Sequence, residues 1–405
     1  MIRLRIRLPL FFASAALLAL GCTTRTESFT GSVPPDSGLT CTVVTPASDA
    51  NEARSVLAGA TSGTCVVLAA GSYVGPLEIP AGVSLVAQNG SRATVTGGTA
   101  QAPAISLGEG AQLVNLDVLD SPGVGIAIRA SKALVNNVTV TNAKSAALSI
   151  QCTEAKTPGC AKNAVTLTNV VLEKSSYGLW VSGAHVVMKG GSSDNHVGTS
   201  LASAAGIIAQ DGAQLDLDGV LVEKNLGVGI LVDGAKTTAS IKNGIINENG
   251  ERGVWLQRAT GTLDAPALRL EGCKVTRNKI VGVGAVESRG IIIVGGRVAD
   301  TVAAPIATNL KSTDSIGDGI GLFSSGDFKL DGTTVETNAR AAGVVDGSDR
   351  GIIIVGGSVS AGDSGLKFVV QNTKGGDVQI AAGDRSVPET ALGISAPRLV
   401  LPPVL

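Results

Sequence analysis

The chain has 405 residues, with 44% hydrophobic and only 2% aromatic side chains, 53 glycines and a formal net charge of −1. Charged residues make up 16%, which excludes a disordered polyampholyte and gives no basic surplus for nucleic acid. Glycine shows no collagen period, and the interior must be filled by something other than large rings.

The first element is a leader. Arg3, Arg5 and Arg7 precede an apolar run from Leu8 to Leu20, followed by Gly21 and Cys22. A charged start, a short apolar stretch and a small residue before the cut read as a secretory signal over 1–21 rather than a membrane span. The string Leu18-Ala19-Leu20-Gly21-Cys22 resembles a bacterial lipobox. That resemblance implies lipidation of Cys22, an exported protein held at the bacterial envelope, and the outer membrane as its place. The membrane would be met through the lipid alone. The polar stretch to residue 40 then reads as a tether. Removing the three leader arginines from 32 basic residues leaves 29 against 33 acidic ones, so the mature chain has no charge that would draw a polyanion.

Six cysteines suit an oxidising compartment. Spacing proposes Cys41 with Cys65 and Cys152 with Cys160, the latter across a Thr-Pro-Gly turn; Cys273 is left over as a buried small hydrophobe. Ser48 stands where it would cap a helix running to about Ala58.

From there to about residue 385 one signal recurs: a glycine followed by alternating apolar residues. Gly178-Leu179-Trp180-Val181, Gly206-Ile207-Ile208-Ala209, Gly229-Ile230-Leu231-Val232 and Gly253-Val254-Trp255-Leu256 are examples. From Gly206 onward the glycines stand 23, 24, 29, 37, 24 and 22 residues apart. A fixed minimum with longer exceptions means one unit with loops inserted at a tolerant corner. Asn225, Asn249, Asn278 and Asn338 each follow an apolar residue by three. Asparagine tolerates left-handed backbone, and stacked amides bond from coil to coil. The octet Arg289 to Gly296 recurs from Arg350 to Gly357. Between corners the period is that of strands.

This pattern resembles the right-handed parallel β-helix of the pectin-lyase-like superfamily. The resemblance implies an all-β, single-stranded solenoid over 41–385 with a short N-terminal capping helix. Residues 386–405 would form a C-terminal cap or tail. About 13 coils at 4.8 Å make a rod on the order of 60 Å long. Inward positions meet their own copies above and below, which explains why Ile, Val, Leu, Ala and Gly dominate.

Two outward columns are candidate sites. If the first and third residues after each glycine point inward, the second and fourth point out. The second gives Trp180, Ile208, Leu231 and Trp255, and the fourth gives Ser182, Gln210, Asp233 and Gln257. An apolar stripe bordered by amides and a carboxylate would stack sugar rings or receive an envelope protein. The alternative is that an insertion at 184–203 or 298–316 covers it. The other column carries Asp216 and Asp218, then Ser240 and Lys242, then Arg269 and Glu271. Resemblance to the pectate-lyase branch implies that Asp216, Asp218 and Glu271 bind calcium and that Arg269 or Lys242 acts as base or charge stabiliser. The plainer alternative is opposite charges paired on a solvated sheet. Hydrolase motifs are missing, and His185 and His196 have no partner nearby in sequence. The sequence thus favours a lipid-anchored, non-catalytic scaffold that binds polysaccharide or a surface partner, needs no cofactor and takes no nucleic acid. A calcium-dependent lyase of acidic glycans is the alternative.

Overall fold

The computed structural model describes residues 33, 39–152, 162–198, 204–305, 315–348, 350–373, 378–380, 382–387 and 392. The leader, Cys22, Cys160 and most of the tether and tail lie outside the described residues.

Strands of two to nine residues succeed one another around three faces. In one coil, Gln214–Asp218 lies on the first face, Leu221–Glu223 on the second and Ile230–Asp233 on the third. Each pairs in parallel with its counterpart one coil on: Leu215 with Ala239, Val222 with Ile246, Ile230 with Val254. The three sheets hold 14, 12 and 14 strands among the described residues. The exception to parallel pairing there is Ala304–Pro305, which runs antiparallel to Ser315–Ile316. The repeated octet takes the same register on the first sheet, where Ile291 and Ile352 both face Phe328 from adjacent coils.

One continuous core fills the tube. It takes Leu179, Val181, Ile207, Ala209, Ile230, Val232, Val254 and Leu256 from the third sheet alone. Each leucine, isoleucine or valine among them contributes about 1.5–3 kcal/mol by leaving water. The inward and outward assignment of the glycine repeat therefore holds.

Each corner solves its backbone problem differently. Between first and second sheets the residue in left-handed geometry is an asparagine or glycine, as at Asn169, Gly190, Gly219, Asn243 and Gly272. Between second and third sheets it varies, as at Asn142, Lys174, Asn195, Lys224, Glu248 and Arg277, and after the last three of these the ladder asparagine comes next. Asn225 Nδ2 donates to Asn249 Oδ1 at 2.9 Å, and Asn249 Nδ2 to Asn278 Oδ1 at 2.8 Å, with all three buried. The ladder asparagines thus serve through their amides, which corrects the backbone reason given to them above. The recurring glycine belongs to the same device. A Cβ on Gly229 would lie 2.6 Å from the Gly253 carbonyl oxygen and 2.7 Å from Asn249 Nδ2.

The capping helix spans Ala50–Gly59. Its cap is Asp49, whose carboxylate accepts from the amides of Asn51 and Glu52. Ser48, one residue earlier, donates its amide and hydroxyl to Glu52. The cap thus moves by one residue from the sequence expectation because Asp49 reaches the same free amides. Ala53 and Leu57 close the open end of the core. At the far end Leu392 exchanges backbone bonds with the Gln371 amide, at 3.1 and 3.0 Å, and packs beside Val344 and Val369 on the third sheet.

Candidate functional site

The outer face of the third sheet carries the first candidate column. Register places Ala127 beside Ser149, Ser149 beside Trp180, then Ile208, Leu231, Trp255 and Gly284. The tryptophans are in line, three coil steps apart. They are not exposed: Trp180 is 0% and Trp255 1% accessible, with Ile208 and Leu231 as deeply covered. This corrects the expectation of an open stacking stripe. Tyr177 meets Trp180 edge-on at 5.2 Å, and Val228, Phe323 and Val286 complete a second apolar cluster outside the tube. Trp255 lies against the bare backbone of Gly284, and the Arg252 guanidinium stacks 4.3 Å above its ring. With its faces so engaged, Trp255 is no platform for a sugar ring. Residues 184–198 are ordinary coil, with strands at His185–Lys189 and Ser192–Asp194. The chain leaves the regular coil instead at Ala304–Pro305, which pairs antiparallel with Ser315–Ile316.

The bordering column is equally covered. Gln210, Asp233 and Gln257 are buried. Gln210 Nε2 and Ser182 Oγ both donate to Asp211 at 2.8 Å, while Arg258 clasps Asp233 through Nε at 2.9 Å. Two further ion pairs flank the stripe: Arg252 with Glu251 at 2.7 Å, and Arg340 with the fully buried Asp318. Burial holds the Asp318 carboxyl above its ordinary range, and Arg340 offsets only part of that rise.

Toward the N-terminus the same face opens. A cavity of about 210 Å³ is lined by Ala127, Arg129, Ser145, Ser149 and Gln151, with Gln101 overhanging. Ser149 stands directly beside Trp180 in the sheet. Cavity and covered stripe are therefore successive stretches of one track. Along it, six buried polar atoms have no hydrogen-bond partner: Trp180 Nε1, Trp255 Nε1, Arg252 Nε and Nη2, Gln210 Oε1 and Glu251 Oε2. Buried polar atoms in folded proteins are nearly always paired, so six on one face call for an occupant, water or ligand.

The first sheet's outer face brings the second column together as the sequence spacing implied. Asp216 aligns with Ser240 and Arg269, and Asp218 with Lys242 and Glu271. Lys242 stands between the two carboxylates, Asp218 and Glu271, so they cannot converge on a cation. Glu271 is held by Arg269 at 3.3 Å and Lys242 at 3.8 Å, and Asp218 accepts from Asn243 at 3.0 Å. Among the described residues no three His, Cys, Asp or Glu side chains form a metal site. The calcium expectation for Asp216, Asp218 and Glu271 is corrected accordingly. Arg269 and Lys242 sit in half-exposed ion pairs, where each pair contributes little. What sequence spacing missed is His185, whose Nε2 lies 2.8 Å from Asp216 Oδ2.

Cys41 and Cys65 form the expected disulfide. Cys152 is also disulfide-bonded, its partner lying outside the described residues. Cys273 is free and buried.

Residues 123–298 match the family model described as "Right handed beta helix region". Comparison with curated proteins finds no match. Among solved structures, a mutant of the periplasmic alginate epimerase AlgG superposes with TM-score 0.54 at 14% identity over 83% of each chain. The Dettilon tailspike protein superposes with TM-score 0.55 at 13% identity, over 83% of this chain and 65% of the tailspike. This chain thus spans less than two thirds of the tailspike's length. At such identities the likeness is one of fold. The chain is a right-handed parallel β-helix. Pectate lyase Pel9A is also similar, at 11% identity, but its TM-score of 0.28 is too low to argue from.

Within this β-helix the site residues legible in sequence were the outward columns, because strand alternation fixes which side chains share a face. Arg252 and Glu251 were not legible. They precede the corner glycine, where a bend breaks the alternation, and the adjacency of Arg252 to Trp255 is a tertiary fact.

Proposed function

We propose that this protein is an exported, lipid-anchored β-helix that binds polysaccharide along the outer face of its third sheet and does not turn it over. The observation that carries the reading is the open cavity at Ala127, Ser149 and Gln151 in register with a covered stripe of aromatic rings and unpartnered polar atoms. Pockets that mix apolar walls with a few aimed polar groups are built for ligands. Sugars present that same mixture. The likeness of fold to an alginate epimerase is consistent with a glycan ligand, as against a surface protein. Export is supported by the disulfides, which persist in oxidising compartments.

A second reading, a polysaccharide lyase, has one observation in its favour. The His185–Asp216 pair stands on the first sheet's face, in the row that continues through Ser240 to Arg269. A carboxylate-oriented imidazole is a competent general base, and Arg269, two coils along that row from Asp216, would meet a developing anion only on a substrate that spans both.

One experiment separates the two. The soluble form beginning at Thr23 is passed over immobilised neutral and acidic polysaccharides, while the same substrates are followed for unsaturated uronide by absorbance. Retention without product is expected, and Ser149→Trp, which fills the cavity, should weaken retention at least tenfold. Product that survives Ser149→Trp but is lost in His185→Ala and Arg269→Ala would replace the scaffold with the lyase.

A further inference from the structure

Three buried or half-buried arginines serve the covered face, and two of them use the same edge. Arg258 clasps Asp233, and Arg340 clasps Asp318, each through the side-by-side Nε and Nη2 donors. Arg252 presents that edge with nothing in it. Its side chain is 1% exposed; Nη1 donates to Glu251 Oε1 at 2.7 Å, and Nε and Nη2 have no partner. Stacking on Trp255 at 4.3 Å fixes the guanidinium plane. Glu251 Oε2 is likewise unpartnered, as are both indole N–H groups and Gln210 Oε1. The other two unpartnered atoms, Thr301 Oγ1 and Asn338 Nδ2, belong to the corner ladder inside the tube.

The three arginines of the covered stripe are already matched by carboxylates. Arg252 has Glu251, Arg258 has Asp233 and Arg340 has Asp318. Among the described residues of the stripe each of these three arginines thus has its carboxylate, and Glu251 keeps one oxygen unpartnered. The unpartnered set is instead mixed: four nitrogens that donate and two oxygens that accept. Adjacent hydroxyls satisfy such a set, since each accepts from one side and donates to the other. A vicinal diol would take both N–H groups of the Arg252 edge on its oxygens, and a further hydroxyl of the same saccharide would donate to Glu251 Oε2.

We infer that the ligand of this face is a neutral saccharide, recognised through vicinal hydroxyls by the free Nε–Nη2 edge of Arg252 and the free oxygen of Glu251. The inference rests on the binding reading above and narrows it against acidic glycans. The face is closed in this state, so binding includes its opening, which moves the tryptophans at the site.

Trp180 and Trp255 are the chain's two tryptophans, so tryptophan emission reports on this face alone. The soluble form is titrated with cellohexaose, mannohexaose and xylohexaose, and with hexagalacturonate and hexamannuronate. A saturable emission change is expected with at least one neutral oligomer and with neither uronate at equal concentration. Arg252→Lys keeps the charge beside Glu251 but removes the planar fork, and should weaken neutral binding about tenfold or more. Gln210→Leu removes an unpartnered buried acceptor. A purely structural role would leave binding unchanged, whereas several-fold weaker binding at an equal or higher melting temperature is expected. Tighter uronate binding with an emission change would overturn the neutral-ligand inference and leave the face as a glycan site. Retention on polysaccharide with unmoved emission would place the ligand elsewhere and overturn both. No retention and no emission change with any probe would sink both as well.

Discussion

His196 occupies a rung of the corner ladder where later coils place asparagine. Its backbone amide donates to Asn225 Oδ1 at 3.1 Å, its Nδ1 accepts from Ser175, and its Nε2 faces Ser193 Oγ at 3.1 Å. The contact with Ser193 has the look of a catalytic dyad, but both groups are buried inside the tube, so it is structural. Burial holds the imidazole well below its ordinary 6.5, at about 4, against the smaller opposing pull of Asp194. The folded protein therefore keeps His196 neutral where the unfolded chain would protonate it. Stability is full above pH 6.5 and falls as the pH drops toward 4, with a loss on the order of 2 kcal/mol by pH 5. Melting temperatures at pH 7.5 and pH 5 should differ more in the parent than in His196→Asn, which restores the common ladder residue. Equal differences would show that His196 does not set this dependence. The sequence displayed the histidine but not its partners, because Ser175 and Asn225 belong to neighbouring coils.

At the scale of the coil, the repeat was legible and its reason was not. Glycine before each third-sheet strand reads from sequence as a flexible corner, yet its role is to leave room for the next coil's carbonyl and ladder amide. Gly229→Ala should cost about 1–3 kcal/mol through that overpacking. Gly59→Ala, where a Cβ meets nothing within 4 Å, should be neutral or slightly stabilising. A denaturation midpoint for Gly229→Ala equal to that of Gly59→Ala would refute the account. The charge column on the first sheet teaches a related lesson. Alternation placed Asp216, Asp218, Lys242, Arg269 and Glu271 on one face correctly, but ligation depends on which charge stands between which. Lys242 separates Asp218 from Glu271, and that order turns a candidate cation site into an ion-pair lattice.

The whole molecule is a tube with ends that need closing and a face that is unexpectedly covered. Ala53 and Leu57 close one end of the core, and Leu392 packs on the third sheet near the other. The anchoring proposed for Cys22 is a property at this scale, since a lipid there would set how the rod meets a membrane. Expressed from Met1, the protein should on that proposal partition with membranes and incorporate labelled palmitate, and Cys22→Ala should shift it to the soluble fraction without label. Unchanged partitioning in that variant would exclude the lipid anchor.

What the sequence by itself determined is the coil: its period, the alternation of its strands and the aliphatic interior. These follow from local alternation and from identical residues meeting across one coil step. What only the tertiary structure decided is the site. Whether Trp180 and Trp255 face water, whether carboxylates converge or are kept apart, and whether Arg252 finds a partner all depend on contacts between residues distant in the chain. Strand alternation says which side of a sheet a side chain takes, and carries no information about what lies over that side.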